Sequence, residues 1–300
     1  MAERDVAIGE LVQAAESGRI CAVAGEAQRE MRKWAAEYGG AFSAEPFDPT
    51  LFNTICLCTA FSAPWLTSAE LRMANRLGLW SFGIDWVIDY VATSRAEIEN
   101  IVRCCLAVAD GAEPAPDDDL MRFLADIRDE LASCTAFPAL RHVWREEFQR
   151  FLHGMAREWD WKKARANGVT DRPTFEEYLE NADNLGFSFV FTSHWIYTLR
   201  SGVPTDVDAV VMTSRQTQRI MRLINDLGTY ERDLTWGDLN GLMLGVGREE
   251  VRRHIAVLAD EHARAIGTLR EHQPRLARYL DRQMNFCAGF WEVTEFWGAL

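Results

Sequence analysis

The chain has 300 residues, 48% of them hydrophobic, with 32 Lys and Arg against 45 Asp and Glu. That apolar share is ordinary for a folded globular protein and excludes a disordered chain. The formal net charge of −13 argues against nucleic acid and against an anionic membrane surface, because both are held by clustered Lys and Arg.

An acidic protein that handles an anionic ligand needs local compensation, which a bound divalent metal supplies. Eleven Trp and sixteen Phe demand a large buried volume or a ring-lined pocket. The seven Cys include no paired metal-type spacing, and their apolar neighbours predict free buried thiols in a reducing cytoplasm. The N-terminus shows no basic stretch followed by an apolar one, so no signal peptide is expected. The longest apolar candidate, Trp80 to Val91, carries two Asp and falls short of the ~18 residues of a membrane span. A soluble single domain over residues 1–300, with no stable membrane insertion, is the expectation.

Residues 5–38 carry Ile8, Leu11, Val12 and Ala15, then Met31, Trp34 and Ala35, at helical spacing, and Gly39-Gly40 breaks the run. Residues 50–62 read as an apolar helix. Thr67-Ser68-Ala69-Glu70 offers a start for a helix from Glu70 to Ala92. Gly111 to Asp119 is a loop by every local signal, and Asp117-Asp118-Asp119 reads as a helix cap. Helices are predicted over 118–135, 138–164, 174–200 with Gly186 inside, 206–232, 248–271 and 274–298. Gly202-Val203-Pro204 ends the third of these, and 236–247 is a loop with a short turn. No strand-like alternation occurs, so the fold class is all-α.

Two acidic clusters stand out. Asp85 and Asp89 lie at i and i+4, on one helix face. Like charges there repel unless a cation joins them, and Mg²⁺ typically takes one or two carboxylates plus substrate phosphates. Asn225, Thr229 and Asp233 fall at i, i+4 and i+8, so an amide oxygen, a hydroxyl and a carboxylate share a second helix face. The bland reading of either cluster is a solvated polar face; all three oxygen donors at this spacing favour a cage for a hard cation.

The pattern N-D-x-x-T-x-x-x-D at 225–233 resembles the second metal motif of class I terpene synthases, and the segment at Asp85 resembles their aspartate-rich motif, 140 residues upstream. Asn240 to Val251 and Arg172 to Leu179 are similar to that family's loop after the second motif and to the entry of its central kinked helix. The resemblance implies a helical bundle around a central cavity and a carbon–oxygen lyase that ionises and cyclises an isoprenyl diphosphate. It implies three Mg²⁺ ions, two held by Asp85 and one by Asn225, Thr229 and Asp233, with Asp89 a further ligand. By the same resemblance Asp85 and Arg232 are catalytic, Arg232 hydrogen-bonding the diphosphate, and a homodimer stays open. Phe82, Trp86, Phe187, Phe189, Trp195, Trp291 and Trp297 are candidate pocket rings, each of which singly reads better as core.

The sequence departs from the family pattern in three places. Ala182 occupies the slot of the family's diphosphate-sensing Arg. Gly186 matches its effector glycine, but Leu185 replaces the linking Asp. Arg278-Tyr279, the lone Arg-Tyr pair near the C-terminus, is expected to be a helix-surface pair. Arg222, His254 and His262 are also expected at the surface. Tyr178-Leu-Glu-Asn-Ala-Asp-Asn is similar to bacterial enzymes acting on copalyl-type diphosphates, which implies a C20 substrate, geranylgeranyl or copalyl-type. Farnesyl diphosphate, or a non-catalytic helical interaction protein, are the alternatives.

Overall fold

The computed structural model of the protein describes residues 2–169, 172–199 and 206–298, with the backbone alone over 2–10. Among the described residues it has eleven α-helices and no strand: α1 Ala2–Glu37, α2 Pro49–Ser62, α3 Arg72–Trp86, α4 Arg95–Ala109, α5 Asp119–Ala132, α6 Phe137–Ala166, α7 Phe175–Glu180, α8 Phe187–Thr198, α9 Val207–Trp236, α10 Arg248–His272 and α11 Pro274–Val293. The all-α expectation holds.

Local chemistry sets the helix starts. Asp48 accepts from the Thr50 and Leu51 amides, each at 2.8 Å, and Pro49 opens α2 where its missing N–H costs nothing. Asp118 accepts from Met121 N at 3.0 Å, so the cap read into the Asp triplet is real. Thr174 and Glu177 form a reciprocal capping box at α7. The segment 92–111, to which the sequence reading assigns no element, contains α4, capped by Ser94. Its Ile98, Ile101, Val102 and Cys105 carry the amphipathic spacing.

Two departures matter for the site. The helix expected over 70–92 is regular only to Trp86, and Val87–Val91 widen into a π-helical turn, a feature found often at functional sites. The helix expected over 174–200 breaks into α7, a 3₁₀ turn at Ala182–Leu185 and α8, because Gly186 takes φ +71°. The predicted terminator Gly202-Val203-Pro204 lies outside the described residues.

The core fills the space between α3, α5, α6, α8, α9 and α11. Trp144, Phe148 and Phe189 stack at its centre, with ring centroids 5.9 and 4.7 Å apart. Where α9 crosses α11, Gly228 allows the close approach: a Cβ there would lie 2.5 Å from the Trp291 carbonyl oxygen. Gly228→Ala is therefore expected to cost about 1–3 kcal/mol of stability through overpacking. Urea unfolding checks this, and a loss below about 0.5 kcal/mol, within the range of ordinary surface changes, would mean the two helices part freely.

Several surface expectations are corrected by packing. His262 is buried, with Nε2 3.7 Å from Asp281, and His254 lies half-buried against Phe175. Both sit on the face of α10 that turns inward. Tyr279 is buried against Phe191 and His194, while Arg278 stays outside over the Trp65 ring. The seven cysteines are all free; Cys56, Cys58, Cys105 and Cys287 are buried, whereas Cys21 is exposed and Cys104 and Cys134 are intermediate. Burial pushes the Cys56 thiol up to about 12. No helix among the described residues is long and apolar enough to cross a membrane.

Candidate active site

A cavity of about 180 Å³ opens where α3, α6, α9 and the chain beyond α11 converge. Seven of the predicted residues stand on its wall: Phe82, Asp85, Asp89, Asn225, Arg232, Asp233 and Trp291. The two motifs, distant in sequence, therefore face one space. Trp297, also proposed as a pocket ring, is there too.

Asp85 and Asp89 share the face expected of them, on the last turn of α3 and in the π turn. Among the described residues neither carboxylate accepts a hydrogen bond from the protein. Burial, then Asp238, push Asp85 up to about 7, with Arg232 acting in the opposite sense. Burial, then Asp85 itself, hold Asp89 well above the usual carboxylate range.

The second motif is more closed. The Thr229 hydroxyl lies 2.8 Å from Asp233 Oδ2 and 2.9 Å from the Asn225 carbonyl oxygen. Asp233 also accepts from Asn240 Nδ2 at 2.8 Å and from Arg232 Nη2 at 2.8 Å. Asn225 turns its side chain to the cavity, and Thr229 is buried just behind. Arg232 bridges Asp233 and Glu295, with its guanidinium 5.0 Å from the Trp236 ring centroid.

Five predicted pocket residues stand off the wall. Trp86 follows Asp85 by one position, so the helix carries it round to an outer groove, and it stacks at 4.7 Å on Tyr90, which itself lines the cavity. Gly186 sits behind Phe151, and its break places Asn184 and Leu185 on the wall instead. Phe187 packs on Phe191, and Trp195 is buried in the core, as is Phe189. For these positions the core reading is the observed one.

Sequence reasoning missed the groups that other elements bring in. Glu158 and Asp238 line the cavity, with Lys162 paired to Asp238 and 4.9 Å from the Tyr90 ring centroid. Glu158 and Lys162 share one face of α6 at i and i+4, a weak signal that could have flagged them. Arg222, expected at the surface, is 7% exposed. Its Nη2 donates to Glu158 at 2.7 Å, its Nε donates to the Tyr178 hydroxyl at 2.6 Å, and Nε lies 3.5 Å from Asp226. Tyr178 donates in turn to Asp226 at 2.7 Å. So Asp226, next to Asn225, points inward and braces the loop at Gly241 rather than facing the cavity.

These shifts have a pH consequence. Burial drives Asp85, Asp226 and Glu295 each up to about 7, and raises Asp89. In the unfolded chain such groups ionise near ~4. Between those values the folded state binds more protons than the unfolded one, so stability falls as pH rises through the window. Calorimetry without metal is expected to give a lower Tm at about pH 8 than at about pH 5, by a few degrees per ~1 kcal/mol lost. A divalent cation, which favours ionised Asp85, should narrow the gap. A metal-free Tm that climbs with pH would contradict this.

Among the described residues, no three His, Cys, Asp or Glu side chains converge into a self-sufficient metal cage. The donor set fits a hard cation of another kind. Two carboxylates without protein donors, facing an amide oxygen, suit an ion that keeps water and takes the rest of its ligands from a phosphate.

Residues 76–264 match the family described as terpene synthase family 2, C-terminal metal binding. The chain belongs to the class I terpene synthases. This terpene synthase is 23% identical over 216 residues to the ent-pimara-9(11),15-diene synthase of Streptomyces sp. (strain KO-3988), a match spanning 72% of this chain and 71% of that one. Among solved structures, α-eudesmol synthase superposes with a TM-score of 0.74 at 13% identity, over 91% of this chain and 96% of that one. The 2-methylisoborneol synthase of Streptomyces coelicolor, solved with Mg²⁺ and geranyl-S-thiolodiphosphate, gives 0.69 at 16% identity, over 89% and 91%. These likenesses establish the class I terpenoid synthase fold. As a member of a metal-binding terpene synthase family, the protein is a carbon–oxygen lyase acting on diphosphates and a terpene cyclase of divergent sequence.

Proposed function

We propose that this terpene synthase binds a C20 isoprenyl diphosphate, geranylgeranyl or copalyl-type, and converts it into a cyclised or rearranged diterpene with release of diphosphate. The observation that carries the reading is the Asp85–Asp89 pair, half-buried, mutually repelling and, among the described residues, without protein donors, on the same cavity as Asn225. Asp85 and Asp89 hold Mg²⁺ on one side of the cavity; Asn225, Thr229 and Asp233 hold it on the other, with three ions in all. Bound Mg²⁺ supplies the positive charge that stabilises the departing diphosphate. Arg232 hydrogen-bonds the diphosphate once released from Glu295. Phe82 and Trp291 present ring faces to the hydrocarbon, and with Phe151, Leu185 and Leu239 they form the apolar part of the wall that shields the cation from water.

The C20 substrate is supported by the Tyr178–Asn184 segment and by the relative's name, whose pimaradiene product is a C20 hydrocarbon. Farnesyl diphosphate is the second reading, favoured by the small cavity. Seven unpaired cysteines suit a reducing cytoplasm, and the helical bundle acts as one unit over 1–300. Incubation with Mg²⁺ and geranyl, farnesyl, geranylgeranyl or copalyl diphosphate, followed by hydrocarbon analysis, tests the reading. A diterpene from a C20 substrate is expected. A product from farnesyl diphosphate alone would move the assignment to a sesquiterpene synthase, and none from any of the four would refute both.

A further inference from the structure

The chain does not leave the molecule at the end of α11. Thr294 turns to an extended conformation, and the next three residues fold back onto the cavity. Glu295 pairs with Arg232. Phe296 packs between Phe82, at 5.6 Å, and Phe290, at 4.8 Å. Trp297 stands edge-on to Phe82 at 5.0 Å on one side and meets Phe47 at 5.7 Å and Trp86 at 6.1 Å on the other.

Those neighbours belong to two different spaces. Phe82 lines the inner cavity of about 180 Å³. Trp86 lines the outer groove, of about 560 Å³, which runs past Gly40, Val87 and Leu120. The indole of Trp297, on the inner wall, thus stands between them, beside the stacked Trp86–Tyr90 pair, whose Tyr90 also lines the inner cavity. The inner space alone is smaller than the ~300–1,000 Å³ of ordinary small-molecule sites, so a chain of twenty carbons does not lie in it at full length. The wall on the α3 side otherwise carries Ser81 and Asp85. The indole is held by ring contacts with Phe82, Phe47 and Trp86, on a segment anchored by the Arg232–Glu295 pair and the Phe296 ring.

We infer that Trp297 sets the depth of the hydrocarbon cavity and so determines the length of prenyl chain the enzyme accepts. This rests on the cavity being the isoprenyl diphosphate site. With the indole in place, the longer chains bind only as far as it yields; without it, the inner cavity runs on past Phe47 and Trp86. The ring is a specificity determinant rather than a metal ligand, since its one polar group is an N–H donor that cannot hold a cation.

The test is the affinity of the inert thiolodiphosphate analogues of geranyl, farnesyl and geranylgeranyl diphosphate, measured calorimetrically in Mg²⁺. Wild type, Trp297→Ala and Trp297→Phe are compared. Trp297→Ala is expected to shift the ratio of C20 to C10 affinity at least tenfold toward C20. Trp297→Phe, which keeps a ring and the packing on Phe82, is expected to shift it about threefold the same way, and it carries the test if the alanine variant does not fold. A ratio within twofold of wild type in the folded variants overturns the inference while leaving the synthase reading intact. Failure of wild type to bind any of the three analogues overturns that reading, and the inference with it.

Discussion

Asp85→Ala is expected to lower kcat/KM for every isoprenyl diphosphate by about a thousandfold or more, equivalent to ~4 kcal/mol of lost transition-state stabilisation. The reason lies in what Asp85 lacks. It faces the cavity with no protein donor, and burial with Asp238 nearby pushes it up to about 7. A half-buried carboxylate beside other acids is costly unless something neutralises it. On the proposed reading, removing it takes away a metal ligand while relieving repulsion on Asp89. The metal-free variant should melt no lower than wild type, with unchanged helical circular dichroism. Asn225→Ala, on the opposite wall, should cause a comparable loss of turnover. Activity within tenfold of wild type in both variants would mean that the two motifs do not hold the metal.

The largest stability effect is expected at Arg222. Its guanidinium sits between Glu158 and Asp226 and receives the Tyr178 hydroxyl as acceptor. Arg222→Ala leaves buried Asp226 and half-buried Glu158 without their cation, which typically costs about 3–5 kcal/mol. The neutralised triple variant, Arg222→Met with Glu158→Gln and Asp226→Asn, should recover most of that loss, because the penalty comes from stranded charge rather than from a missing contact. Chemical denaturation of the three proteins decides the matter. If the triple variant is as unstable as Arg222→Ala, the effect is one of packing.

The two experiments separate what the sequence makes legible from what it hides. Asp85 with Asp89, and Asn225 with Thr229 and Asp233, are readable because helical periodicity turns spacing into a shared face. The face survives even where Val87–Val91 widen into a π turn. Arg222 is not readable in the same way. A lone Arg on a long helix looks like surface, and the partners that bury it lie 64 and 44 residues away. Asp238 and Glu295 are hidden for the same reason, each reaching the cavity from a different segment, and so is Lys162, which meets Asp238 from α6. Ring counts fail differently: Phe187, Trp195 and Trp291 have similar neighbours in sequence, yet Trp291 alone of these reaches the wall. The α4 helix was legible in the spacing of Ile98, Ile101, Val102 and Cys105, and its omission owes nothing to tertiary structure. The end of α11 was not. The helical pattern runs on toward 298, but Thr294 leaves the helix and the segment is drawn back by the Arg232–Glu295 pair and the Phe82 ring.

Release of inorganic diphosphate, followed alongside hydrocarbon formation, tests the central claim most directly. Wild type and Asp85→Ala are supplied with geranyl, farnesyl, geranylgeranyl and copalyl diphosphate in turn, with Mg²⁺ and then with excess chelator. The account predicts that wild type releases diphosphate and hydrocarbon together from at least one substrate in Mg²⁺, that both stop on chelation, and that Asp85→Ala releases neither. Release by wild type that persists in chelator, or equal release by Asp85→Ala, would contradict it.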